Sequence, residues 1–252
     1  MNIFTSIIMV IVPVFALFVL YAKVTGTIRS FWELKKLSPE FFNAFLRSRN
    51  GMIFVTAWAA FEAVYWYVFP DFITIFIAIF VPKKIILKPI AFAIFGTVLG
   101  GIIAYAIGFA SPQASDAILS HTPFITKPMS EYTVKLYEED GALAAVNHPF
   151  TNIPFKVFAY NAGKLRLNLS VFILISLAIR AARFFIFYSV FYSIGWFLAS
   201  LLKRVYSHHA GYFALIVIYV LVFAFLLFNV SSMQPSTSLV PGSFANFFKV
   251  FL

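Results

Sequence analysis

The 252-residue chain is 62% hydrophobic and only 11% charged, which excludes an ordinary soluble domain, about a quarter of whose residues are charged. Its net charge of +10 would suit nucleic acid in a soluble protein. Here the basic residues sit in short stretches between apolar runs, the pattern of orientation signals and anionic-lipid contact, and no RNA-binding or recognition-helix pattern accompanies them. With no cysteine, disulfides, thiolate chemistry and Cys-based zinc or iron–sulfur sites are excluded too.

Residues 3–21 run without a charge, broken by Pro13. They have no basic segment ahead of them and no cleavage signal behind, so they read as a retained span. Residues 23–50 carry Lys23, Arg29, Lys35, Lys36, Arg47 and Arg49 against Glu33 and Glu40, and Ser38-Pro39-Glu40 has the form of a helix start. The Lys and Arg excess puts this stretch on the cytoplasmic side and the N-terminus outside. Residues 52–81 are apolar but interrupted by Glu62 and by Pro70-Asp71. A broken backbone at membrane depth needs protein or a water-filled cavity around it, so a re-entrant pair of half-helices turning at Pro70 fits better than a straight span.

Lys83, Lys84 and Lys88, bracketed by Pro82 and Pro89, read as a basic turn. Residues 90–110 are a charge-free span in which Gly96 and Gly100 make a G-x-x-x-G spacing, extended by Gly101, Tyr105 and Gly108, and predict a close helix–helix contact. Residues 111–140, with Pro112, Pro123, Pro128 and Glu138-Glu139-Asp140, read as the main extramembrane loop. Residues 141–163 are apolar again but hold His148-Pro149, Asn152, Pro154, Lys156 and Asn161, too polar for a lipid-facing span, and read as a second re-entrant segment. Residues 168–202 form a long apolar run that contains Arg180 and Arg183 and exceeds one bilayer crossing. A basic loop follows at Lys203, Arg204 and His208-His209, then a final charge-free span at 211–229 and a tail that ends apolar.

The expected fold is therefore an all-α polytopic membrane protein, with transmembrane helices and two opposed re-entrant helical hairpins arranged as an inverted repeat. Residues 1–50 are the first span and its basic segment, 51–202 the membrane core, and 203–252 the basic loop, last span and tail.

Two of the nine acidic residues, Glu62 and Asp71, lie inside apolar sequence, where each costs about 3 kcal/mol at mid-bilayer. Acids so placed are paired, cavity-facing or functional, and the competing reading is that they cap half-helices or form structural salt bridges. Their basic counterparts are Lys156, Arg180 and Arg183. The two arginines are three residues apart and share a helix face, suiting them to phosphate or carboxylate. Lys156 follows Pro154, where a restarting helix offers free N–H groups and the positive end of its dipole. The competing reading for these three is snorkelling to the interface. His148 stands without metal-ligand partners, and no nucleophile-elbow, zinc-protease or phosphate-loop motif is present, so no metal or cofactor is expected.

The ordered set resembles the DedA family, also described by its VTT or SNARE-associated domain, and within it the YqaA-like branch. Glu62 is followed by Val68-Phe69-Pro70-Asp71, with Asp where the family usually has Glu. The glycine-rich helix with Gly96, Gly100, Tyr105 and Gly108 comes next. The second break reads Thr151-Asn152-Ile153-Pro154-Phe155-Lys156 before Ala162-Gly163, with Lys156 for the family's second arginine and no first arginine, and Arg180 to Phe184 match an Arg-x-x-Arg-Phe. The resemblance covers roughly residues 50–200 and implies lipid movement across a bacterial or archaeal plasma membrane. The expected substrate is an anionic lipid such as polyprenyl phosphate or a phospholipid. The expected substrate contacts are Lys156, Arg180, Arg183, Thr151 and Asn152, with Glu62 and Asp71 coupling protons and Pro70, Pro154, Gly96, Gly100 and Gly163 shaping the backbone. A homo-oligomer is compatible with it. The alternatives are a membrane-embedded enzyme acting on a lipid, with Glu62, Asp71 and His148 as acid and base, and a scaffold that transports nothing.

Overall fold

The computed structural model describes residues 44–65, 86–122, 125–151 and 153–202. Among these residues the protein is all-helical, with no strand. The expectations for the first span, the basic segment before residue 44, Pro70-Asp71, Lys83 and Lys84, Asn152, the loop from Lys203 and the last span fall outside the described residues.

Helix α1 spans Arg49–Val64. Ser48 starts it, its hydroxyl accepting from the Gly51 amide at 3.0 Å, the bond an N-cap serine makes to the third helical residue. Helix α2 spans Leu87–Ala110. Lys88 and Pro89, expected in a turn, belong to its first helical turn. A proline there gives up an N–H that no helical carbonyl could have taken.

The expected extramembrane loop is instead two helices, α3 (Pro112–His121) and α4 (Lys127–Asp140). Prolines misled the sequence reading because they punctuate loops, yet Pro112 and Pro128 both sit in a first turn. Ser111 caps α3, accepting from Ala114 N at 3.3 Å. Gly141 ends α4 with φ +60°, a backbone conformation open to glycine and strained for other residues.

A 3₁₀ segment, Gly141–Phe150, leads to a break at Thr151–Pro154, and α5 runs from Phe155 to Lys164. Leu167 N bonds Ala162 O at 3.0 Å and Arg166 N bonds Gly163 O at 2.9 Å, closing α5 with the paired bonds of a Schellman motif. Helix α6 spans Leu169–Leu202, one helix of 34 residues capped by Asn168, whose Oδ1 accepts from Val171 N at 3.1 Å. Two helices, Leu87–Ala110 and Leu169–Val190, are long and apolar enough to cross a membrane.

The described residues form two compact units. One holds 44–52, 86–89 and 188–202, and the other holds 53–65, 90–122, 125–151 and 153–187. In the second unit the glycine stripe of α2 makes close contacts on two sides. A Cβ at Gly96 or Gly100 would strike the Thr56 or Ala60 carbonyl of α1. On the other side Gly108 faces the Tyr160 carbonyl of α5, and Gly163 of α5 faces the Tyr105 carbonyl in return. The helix–helix contact expected from the G-x-x-x-G spacing is thus present, and α2 uses small residues against α5 as well. Nine of the ten residues of α5, Phe155 to Gly163, are buried.

Candidate ion-pair site

Glu62, Lys156 and Arg180 are the three buried residues of fixed charge among the described residues, only 1%, 2% and 2% exposed. All three lie in the second unit. Glu62 shares the inner face of α1 with Val55, Trp58 and Ala59. Lys156 is the second residue of α5. Its Nζ lies 3.6 Å from Glu62 Oε1, an ion pair closed off from solvent. Glu62 Oε2 is also buried and has no hydrogen-bond partner among the described residues. Charges held in such dry surroundings interact far more strongly than in water, and each is costly to leave alone.

Arg180 reaches the site through an aromatic side chain. On α6 the buried stripe is Phe172, Ser176, Arg180 and Phe184, one residue every four. Phe155, the first residue of α5, is gripped by two of them. Phe172 stacks with it at 6.0 Å between centroids and 10° between planes, and the Arg180 guanidinium lies 4.3 Å from its ring centre. A guanidinium over a ring face gains cation–π attraction that grows as the pair is desolvated. Arg183 stands beside this stripe, half-buried, with its guanidinium 5.1 Å from the Phe187 ring. Arg180 thus lies over a ring of α5 and Arg183 over a ring of its own helix.

His148 enters the sequence reading only as an acid or base of the enzyme alternative, because its sequence neighbours hold no metal-ligand partner. In the fold its imidazole packs edge-on against Phe155 and Phe158, each at 5.6 Å, and is 4% exposed. Thr151 spends its hydroxyl locally, donating to His148 O at 3.2 Å. Asn152, Asp71 and Pro70 lie outside the described residues. Pro154 is the N-cap of α5 and carries no side-chain cap bond.

Hydrogen bonds tie α5 and its C-terminal end to four helices, α1 to α4. Tyr160 donates to the Val64 carbonyl of α1 at 3.3 Å. Tyr105 of α2 donates to the Leu167 carbonyl just past α5. Tyr137 of α4 donates to Phe158 O at 3.1 Å, and burial pushes its phenol well above the usual range, so the donating proton stays on. Asn161 donates to Ser130 O at 3.3 Å and to Ser130 Oγ at 3.1 Å. Lys164 pairs with Asp116 of α3 at 2.6 Å on the exposed end. A cleft of about 660 Å³ opens along α3 and α4, lined by Asp116, Ser130, Glu131 and Lys164, and none of Glu62, Lys156 or Arg180 lines it. Among the described residues no three His, Asp or Glu side chains gather as a metal site.

No protein-family model matches the chain. No solved structure matches it either. A protein of Haemophilus influenzae described as uncharacterized is similar over 135 residues, 29% identical, covering 52% of this chain and 69% of the relative. The likeness gives company in sequence and assigns no activity.

Proposed function

We propose that this chain is a DedA-like integral membrane protein that moves an anionic lipid, a polyprenyl phosphate or a phospholipid, across the plasma membrane of a bacterium or archaeon. The observation that carries the reading is the dry Glu62–Lys156 pair, held next to a residue, Phe155, that also carries Arg180. A lysine and an arginine at one buried place suit an anionic head group, and a carboxylate on the lysine gives the head group something to displace. Proton uptake by Glu62, and by Asp71 nine residues on, would compensate that displacement.

The membrane setting is supported by α2 and by Leu169–Val190 of α6, both long and apolar enough to cross. The re-entrant reading of residues 141–163 is supported by length. At 1.5 Å per residue α5 is about 15 Å long, half a hydrocarbon core, and it is preceded by a 3₁₀ segment and a proline break. A half-length helix buried on all sides fits a segment that enters the membrane and turns back inside protein.

The deciding experiment is flipping of labelled polyprenyl phosphate and labelled phospholipid in reconstituted liposomes, with and without a pH gradient. Movement that needs the protein and is lost in Lys156→Ala and in Asp71→Asn is expected. Full activity of Asp71→Asn would remove the proton role. No movement of either lipid would overturn the translocase reading, and turnover of the lipid by pure protein would replace it with the enzyme.

A further inference from the structure

Two buried polar atoms near Phe155 lack a hydrogen-bond partner among the described residues: His148 Nδ1 and Ser176 Oγ. Their side chains are 4% and 2% exposed. Native folds leave few such groups, and each calls for a partner such as a water, an ion or a ligand. Their placement is specific. The His148 ring meets the Phe155 edge-on, while Arg180 lies over that same ring. Ser176 lies midway on the buried α6 stripe between Phe172 and Arg180, the two residues that grip Phe155. The charges of Arg180 and Arg183 both bear on the imidazole. Phe155 opens α5, so the positive end of that helix's dipole lies at this residue.

We infer that His148 and Ser176 are head-group ligands beside Arg180, and that they give the site its preference for a tetrahedral phosphate oxyanion over a planar carboxylate. The inference rests on the anionic-lipid reading above. A guanidinium engages two oxygens of either anion in its own plane. A carboxylate then has no oxygen outside that plane. A phosphate has oxygens outside that plane, which need donors arriving from other directions. An imidazole N–H from the 3₁₀ segment and a hydroxyl from α6 arrive from two different elements. Either donor works without a formal charge, since imidazole carries one N–H when neutral and a serine hydroxyl rotates to suit.

The test uses the purified full-length chain in detergent, titrated with a fluorescent alkyl phosphate and with the alkyl carboxylate of the same chain length. The wild-type protein is expected to favour the phosphate. Ser176→Ala and His148→Gln are each expected to reduce that preference roughly tenfold, the worth of one hydrogen bond to a charged group, with carboxylate affinity unchanged. Ser176→Thr, which keeps the hydroxyl, is expected to restore it, and a purely structural role would not produce that pattern. Unfolding midpoints identify a variant that has lost its fold, and if His148→Gln does so, the serine pair decides alone. Inorganic phosphate as competitor separates the sources. Displacement only by the tailed probe assigns the donors to a lipid, and equal displacement assigns them to the free ion. A wild-type chain without preference, or variants that keep it, overturns the inference and leaves the anionic-lipid reading standing. A folded chain that binds neither anion overturns both.

Discussion

Lys156 and Glu62 hold one another in a place closed off from solvent. Removing one partner of a buried pair costs about 3–5 kcal/mol, because the remaining charge stays out of water. Lys156→Met is therefore expected to destabilise the chain by that amount. The double change Glu62→Gln with Lys156→Met is expected to recover most of the loss, since two neutral groups of similar shape need no compensation. Chemical unfolding in detergent measures both, and an additive double variant would show that the pair does not couple. Tyr105→Phe tests a neutral contact on the same scale. It strips the donor from the Leu167 carbonyl and is expected to cost about 1–3 kcal/mol. At this scale the sequence was legible where charge made residues conspicuous. Glu62, Lys156 and Arg180 stand out in apolar surroundings, and the fold buries all three. The placement of His148 against Phe155 was not legible, because it depends on a phenylalanine of another element.

Helices α1, α2 and α5 meet through glycines, so backbone approaches backbone. A methyl added at Gly100 would strike the Ala60 carbonyl, and one at Gly163 would strike the carbonyl of Tyr105. Gly100→Ala and Gly163→Ala are each expected to destabilise by about 1–3 kcal/mol, the usual cost of overpacking. Thermal unfolding checks this, and a neutral Gly163→Ala would mean that α2 and α5 can part without cost. The α2 contact could be read from its G-x-x-x-G spacing because small residues four apart line one helix face. Its second contact, with α5, could not, since nothing in the sequence says that Gly108 and Gly163, far apart in the chain, face one another's helices. Helices α3 and α4 were read as loop for a different reason. Proline is a loop signal in sequence but fits a first turn, and Ser111 supplies the cap that makes the first of these turns a helix start.

For the whole molecule, crossing the membrane is a statement about sides, and the chain offers a direct assay because it has no cysteine of its own. Lys88 is in the first turn of α2 and Gln113 follows its last residue by three positions in the chain, and both are exposed. If α2 spans, Lys88→Cys and Gln113→Cys are expected to react with an impermeant maleimide from opposite faces of sealed vesicles. Labelling of both from one face would show that α2 does not cross. Apolar composition was enough to read a helical, membrane-compatible chain from the sequence. Which short helices close on which long ones was not in the composition, because it depends on side chains far apart in the chain, such as Tyr160 with Val64 and Phe155 with Arg180.

The burial of α5 also bears on how the protein is made. An insertion machinery that samples emerging segments for greasiness would have no reason to keep a ten-residue helix with a lysine in its first turn. Its companions lie on both sides of it in the chain: α1 and α2 are synthesised before it, and Arg180 of α6 comes after it. Maturation would then be ordered, with α5 docking late into a cradle already built. A nascent chain stopped before α6 would hold an unfinished cradle with a charged residue inside, the kind of intermediate that quality-control proteases remove.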